Sequence, residues 1–149
     1  ENMPIVDCMF FYFDRVFELC EKHGIDKSRL ILDPGIGFAL SKKENYQLIQ
    51  SVELIREKGF EVFLGVSRKR FIVNTILGLD IDADPETEEG FANRDVGSAI
   101  ITAFAVAKEV EYVRIHSLDE HKMAVAITSN IIHADEAEDI TFDQYTNNN

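Results

Sequence analysis

This 149-residue chain predicts an α/β fold, part of a (β/α)8 barrel, and three observations carry the prediction. Three short apolar runs, Leu30-Ile31-Leu32, Val62-Phe63-Leu64-Gly65-Val66 and Tyr112-Val113-Arg114-Ile115-His116, read as buried strands. Helical patterns separate them at intervals of about thirty to fifty residues, the repeat of βα units in a parallel sheet. Polar and charged residues gather where each run ends, and in parallel α/β folds that edge collects helix amino termini and ligand-binding loops. A parallel sheet needs cover on both faces, so three strands with helices on one side leave a face and two edges bare. A complete barrel takes about 250 residues, and this chain supplies less than two thirds of one.

The elements follow in order. Val6, Met9, Phe10, Phe13, Phe17 and Cys20 recur at three and four, which is an amphipathic helix ending before Gly24. Ser41-Lys42-Lys43-Glu44 is a capping box that opens a second helix; Leu48, Ile49, Val52 and Ile55 form its inner face and Gly59 closes it. A third helix is expected from Arg70 to Leu77, then a long, acidic and mobile loop from Asp80 to Glu89. The helix expected from Val96 to Val110 carries Gly97, Ser98, Ala99, Ala103, Ala105 and Ala107, small residues that permit close packing. Ser117-Leu118-Asp119-Glu120 is a second capping box, before a last helix through Ala134. Residues 1–139 are assigned to the barrel part and the Asn-rich stretch 140–149 to a flexible tail. The chain opens on Glu1 rather than Met, as expected of a processed chain or a piece of a longer one.

Composition narrows the function classes. A hydrophobic content of 46% suits a globular protein with a sizeable core, and a net charge of −12 argues against nucleic acid as a partner. Asp7, Asp14 and Arg15 interrupt the aromatic start, leaving far fewer than the roughly 20 apolar residues that span a bilayer, so no membrane partner is expected. Cys8 and Cys20 lie twelve positions apart on one expected helix, too far for a disulfide; with no signal sequence, a reducing, cytoplasmic setting is expected. No His, Cys or carboxylate spacing matches a metal template, and the phosphate-binding and nucleophile-elbow motifs are missing.

The strand ends hold the candidate site. Asp33 leaves the first strand ahead of Pro34, where a carboxylate can accept two hydrogen bonds from a guanidine-like edge such as that of a pterin. The plainer reading is Asp-Pro-Gly turn chemistry. Gly35 and Gly37 permit close approach of a ligand and Phe38 offers an aromatic face, unless the glycines only shape a loop and Phe38 is core. Ser67-Arg68-Lys69-Arg70 places three cations at a helix amino terminus, where the helix dipole disfavours them. A bound anion or ring explains that better than a solvated charged turn does. Arg114 and His116 alternate with Val113 and Ile115, so both point to one side of the third strand. His23, His121 and His133 carry less, because each sits near a helix end without partners in a motif.

Taken together, the strand-DPGIGF, strand-GVSRKRF and VRIH runs, in this order and separation, resemble the dihydropteroate synthase family of folate biosynthesis. The Leu40-to-Asn45 stretch and Asn93-Arg94-Asp95 resemble forms from low-GC Gram-positive relatives. The resemblance covers the chain to about Glu138 and implies the last three parallel strands of the barrel with their helices. It implies condensation of hydroxymethyl-dihydropterin pyrophosphate with p-aminobenzoate, which gives dihydropteroate and pyrophosphate. Lys69 and Arg114 would then be catalytic. Asp33 would meet the pterin edge, and Lys69 both the pterin and the aminobenzoate side. Gly37, Phe38 and Ser67 would border the aminobenzoate site, where sulfonamides compete. Arg114 would stack on the pterin and, with His116, meet the phosphates. The resemblance also implies Mg2+, whose ligand lies among amino-terminal strands missing here, as do a pterin-facing Asp and Asn and two loops of the pocket. The chain alone is therefore expected to be inactive, and a homodimer or a complementing amino-terminal half is the expected partner. Where the family has Asp after the His, Ser117 stands here and is expected to keep the capping role. Two other readings stand beside this one: a non-catalytic pterin-binding or dimerisation module, and a folate-dependent methyltransferase, which gives no reason for the Ser67-to-Arg70 run.

Overall fold

The computed structural model describes residues 3–136, and the tail assigned to 140–149 lies outside them. Helix α1 (Ile5–Lys22) is followed by a 3-10 turn (Lys27–Arg29), strand β1 (Ile31–Leu32), helices α2 (Lys42–Gln50) and α3 (Val52–Glu57), and strand β2 (Glu61–Leu64). Helices α4 (Arg70–Leu77) and α5 (Glu88–Ala107), strand β3 (Tyr112–Val113) and helix α6 (Leu118–Ile132) complete the order. The three strands pair in parallel in the order β1-β2-β3, with Leu32 beside Val62 and Leu64 beside Val113. This is the partial parallel barrel that the sequence predicts.

The core forms where the helices meet one side of the central strand. Val62 and Leu64 are fully buried, and Met9, Phe13, Leu48, Val52, Ile55, Phe71 and Ile101 surround them. The outer strands keep free edges: Ile31 on β1 is 46% exposed and Tyr112 on β3 is 42% exposed. Burial at about 25 cal/mol per Å2 of apolar surface favours the covered side and leaves the edges as the weak point of this arrangement.

Several local elements differ from the sequence reading. The second helix is two helices, because the Ser51 hydroxyl donates to the Leu48 carbonyl at 3.1 Å and competes for backbone bonding there. The third strand pairs over two residues only, although the Arg114 amide adds one bond to the Leu64 carbonyl at 3.1 Å. Helix α5 begins at Glu88, eight residues before the expected Val96. The segment expected as an acidic loop from Asp80 to Glu89 gives its last two residues to α5 and holds hydrogen-bonded turns: the Thr87 hydroxyl caps Gly90 at 3.0 Å and donates to Asp82 at 2.5 Å, while the Asn93 amide donates to the Asp82 carbonyl at 3.0 Å. The capping box at Ser41 is present in both directions, to Glu44 at 3.2 and 2.7 Å. The one expected at Ser117 is not formed; Ser117 precedes α6 but its hydroxyl is buried without a partner.

At the amino-terminal end of the sheet, acidic and basic side chains close the turns on one another. Glu111 accepts from the Val62 amide at 2.8 Å and from Arg56 Nε at 2.7 Å, and Arg56 Nη1 donates to Glu109 at 2.6 Å. Lys108 donates to Glu53 at 2.5 Å. Burial opposes ionisation of Glu111, but the Val62 amide and the Arg56 guanidinium outweigh it and hold the carboxyl below its ordinary range.

Candidate functional site

The candidate site lies at the opposite, carboxyl end of the strands. Beyond β1, Asp33 Oδ1 accepts from the Gly35 amide at 2.8 Å, so the turn role is real, while the side chain stays exposed at the strand exit. Phe38 is 70% exposed and is not core. Gly37 has φ 85°, and its amide donates to Asn45 Oδ1 at 2.6 Å. A Cβ on Gly37 would come within 2.6 Å of Lys69 Cδ, so glycine here answers both to backbone conformation and to the lysine that crosses it.

Lys69, at the exit of β2, donates its ammonium to the Ile36 carbonyl and sits 4.8 Å from the centre of the Phe38 ring. Burial lowers its pKa, and the charge of Arg114 pushes the same way, against the opposing pull of Asp33. Ser67 is buried, and its hydroxyl pairs with His116 Nδ1 at 3.0 Å. The Arg114 guanidinium lies over Gly65, where a Cβ would come within 2.8 Å of Nη2, and its Cζ is 5.7 Å from the centre of the Phe63 ring. Gly65 and Ser67 are two apart, as are Arg114 and His116, so the exits of β2 and β3 meet through matching alternate positions.

Lys69 links the exit of β2 to the loop after β1, while Arg114 and His116 from β3 meet Gly65 and Ser67 at the same exit. Among the described residues, no carboxylate forms an ion pair with Lys69 or Arg114. One sequence expectation is corrected. Arg68 is not a free cation at a helix start, because it forks onto Asp95 at 2.6 and 2.8 Å and lies 4.0 Å from the Phe91 ring centre. Beside the site, Arg70 joins Lys42, Asn45, Lys69 and Asn74 in lining a polar recess of about 460 Å3.

Three contributors escape the sequence reading. Asn45 is 3% exposed and its amide group donates to the Ser41 carbonyl at 2.8 Å, which aims its oxygen at Gly37. Its signal is a polar residue in the apolar stripe of Leu48, Ile49 and Val52. Asp95 shares a buried helix face with Ser98 and Thr102, a polar stripe among small residues. Gly65 carries no signal until Arg114 is seen lying over it.

Residues 2–116 match the family model described as pterin binding enzyme. The chain is 31% identical over 109 residues to dihydropteroate synthase of Streptococcus pyogenes serotype M6, covering 73% of this chain and 38% of that relative. To the Staphylococcus haemolyticus synthase it is 33% identical over 118 residues, 79% of this chain and 41% of the relative. The chain thus spans about two fifths of the curated relatives it matches. Among solved structures, Yersinia pestis dihydropteroate synthase aligns with TM-score 0.71 at 25% identity, covering 87% of this chain and 55% of that one. A Plasmodium falciparum HPPK-DHPS triple mutant solved with pteroate aligns with TM-score 0.75 at 24% identity, covering 93% of this chain and 23% of the other.

Proposed function

Because this chain belongs to the pterin-binding enzyme family, we propose that it supplies the carboxyl-terminal part of a dihydropteroate synthase pocket, with residues 1–139 forming that part of the barrel. The observation that carries the reading is the meeting of Asp33, Lys69, Arg114 and His116 at one sheet edge, with the two long cations free of carboxylate partners among the described residues. Relatives in this family have been solved with pteroic acid, with 6-hydroxymethylpterin-monophosphate and with a sulfonamide, which suits a heteroaromatic ring joined to an anion.

In the proposed reaction, the amine nitrogen of p-aminobenzoate attacks the methylene carbon of hydroxymethyl-dihydropterin pyrophosphate. The carbon–oxygen bond breaks, pyrophosphate leaves with the electron pair, and the amine loses a proton. Asp33 accepts from the amino edge of the pterin and Lys69 donates to the ring. Arg114 stacks on the ring and, with His116, holds the departing phosphates. Gly37, Phe38 and Ser67 border the aminobenzoate. Charge develops as the pyrophosphate departs, so preplaced cations and a fixed orientation of the amine are what this half contributes. Among the described residues, no three His, Cys, Asp or Glu side chains are grouped to hold a metal ion, and no step here runs through Mg2+, an ion that one or two protein oxygens can hold together with substrate phosphates. No described helix is long and apolar enough to cross a membrane.

Half a pocket leaves both substrates misplaced, and effective molarity falls steeply with misplacement. The 149-residue chain alone is therefore expected to release no pyrophosphate from the two substrates, and adding the amino-terminal strands of a relative restores release. Robust turnover by the chain alone would sink the half-pocket reading. No restoration with a folded, associated partner would favour the non-catalytic pterin-binding module.

A further inference from the structure

Arg68 has φ 59°, a left-handed conformation that a residue bearing a Cβ keeps only when its surroundings hold it there. Helix α5 supplies those surroundings. The Arg68 amide donates to Ser98 Oγ at 2.9 Å, and Nε and Nη2 donate to the two Asp95 oxygens at 2.6 and 2.8 Å. Asp95 is 5% exposed and Ser98 is fully buried, and the Ser98 hydroxyl passes its own hydrogen to the Arg94 carbonyl at 2.7 Å. A two-pronged fork fixes direction as well as distance, and the Phe91 ring against the guanidinium closes its remaining freedom.

The residues on either side of Arg68 are the ones that face the candidate site. Ser67 meets His116, and Lys69 reaches the Ile36 carbonyl and the Phe38 ring. Rotation of the backbone at Arg68 would move both side chains at once. Asp95 and Ser98 do not line the site. Their effect on it passes through this one turn.

We infer that Asp95, together with Ser98, is a positioning residue: by clamping Arg68 in its left-handed turn, α5 fixes the direction from which Ser67 and Lys69 are presented to the ligand. The clamp rests on geometry alone, whereas its consequence for binding rests on the pterin-site reading above.

The test uses the full chain and two readouts on protein shown by circular dichroism to be folded. One is the titration of Lys69 followed through its labelled Cε by NMR, which needs no ligand. The other is the Kd for 6-hydroxymethylpterin-monophosphate, measured by its fluorescence. Asp95→Asn keeps the side-chain shape but replaces one acceptor with a donor. It is expected to move the Lys69 titration up toward that of an exposed lysine, as the ammonium leaves its half-buried seat on the Ile36 carbonyl and the Phe38 ring, and to raise Kd at least tenfold. Arg68→Lys, which keeps the charge without the fork, is expected to repeat both changes, and Asp95→Glu to recover part of each. A folded Asp95→Asn or Arg68→Lys protein with the wild-type Lys69 titration overturns the clamp, whatever the ligand does. If Asp95→Asn does not fold, Arg68→Lys and Ser98→Ala decide by the same criterion. If the wild-type chain fails to bind the probe while the Lys69 titration shifts as expected, the clamp stands and the pterin reading of the isolated chain falls.

Discussion

The two ends of this small sheet carry similar side chains and treat them oppositely. At the amino-terminal end, Arg56 is paired with Glu109 and Glu111, and Lys108 with Glu53. At the carboxyl end, Lys69 rests on a backbone carbonyl and an aromatic face, and Arg114 lies over a glycine. Charges that serve the fold come with their countercharge built in. Charges that serve a ligand are left for the ligand to neutralise, and the fold bears some cost of holding them. Arg68 sharpens the contrast, because it sits at the functional end yet is paired with Asp95 and behaves as part of the frame.

The largest effect on stability is expected at the paired end. Glu111→Ala leaves the Val62 amide and the Arg56 guanidinium without their shared acceptor and should cost about 1–3 kcal/mol in urea unfolding, with ligand binding unchanged in the folded fraction. A loss as small as that of an exposed surface pair would remove the structural half of the contrast. The same carboxyl gives a pH signature. Its pKa in the fold is held below the ordinary glutamate value, so its contribution is complete above that value and disappears as pH falls through the lowered one. Melting curves of Glu111→Gln should therefore flatten across that acid range relative to wild type.

The smallest effect is expected at the unpaired end, and its sign is what matters. Burial lowers the Lys69 pKa, so the folded chain binds its proton less readily than the unfolded chain, and wild-type stability rises with pH through the interval between the lowered and the ordinary lysine values. Lys69→Met should remove that rise and leave neutral-pH stability unchanged or higher by about 0.5 kcal/mol. A clear destabilisation by Lys69→Met would mean that Lys69 belongs to the frame, as Arg56 does.

Much of this architecture is legible in the sequence, for identifiable reasons. Continuous apolar runs and three-four spacing place α1, β1, β2, α4 and the Ser41 capping box, because burial and backbone capping are local rules. The long-range features are not legible in that way. The start of α5 depends on Thr87, Asp82 and Asn93 meeting across a turn, and the break at Ser51 depends on one hydroxyl choosing a backbone carbonyl. Ser117 has the right residue type for a cap, yet its hydroxyl makes no such bond. At the site, Asp33, Lys69, Arg114 and His116 stand out because charged residues at strand exits are conspicuous. Asn45, Gly65 and Asp95 act by supporting those residues, and their partners lie 8, 49 and 27 positions away in the chain.

The central claim is that Lys69 and Arg114, without carboxylate partners among the described residues, form at the carboxyl end a site for a phosphate-bearing ligand. Calorimetric titration of pyrophosphate into the wild-type, Arg114→Ala and Arg56→Ala chains at low salt, where charge-assisted contacts are least screened, tests it directly. The account predicts measurable binding by the wild type, loss of most of it in Arg114→Ala, and retention in Arg56→Ala. Equal loss in the two variants would show that only diffuse charge is sensed, and would contradict it.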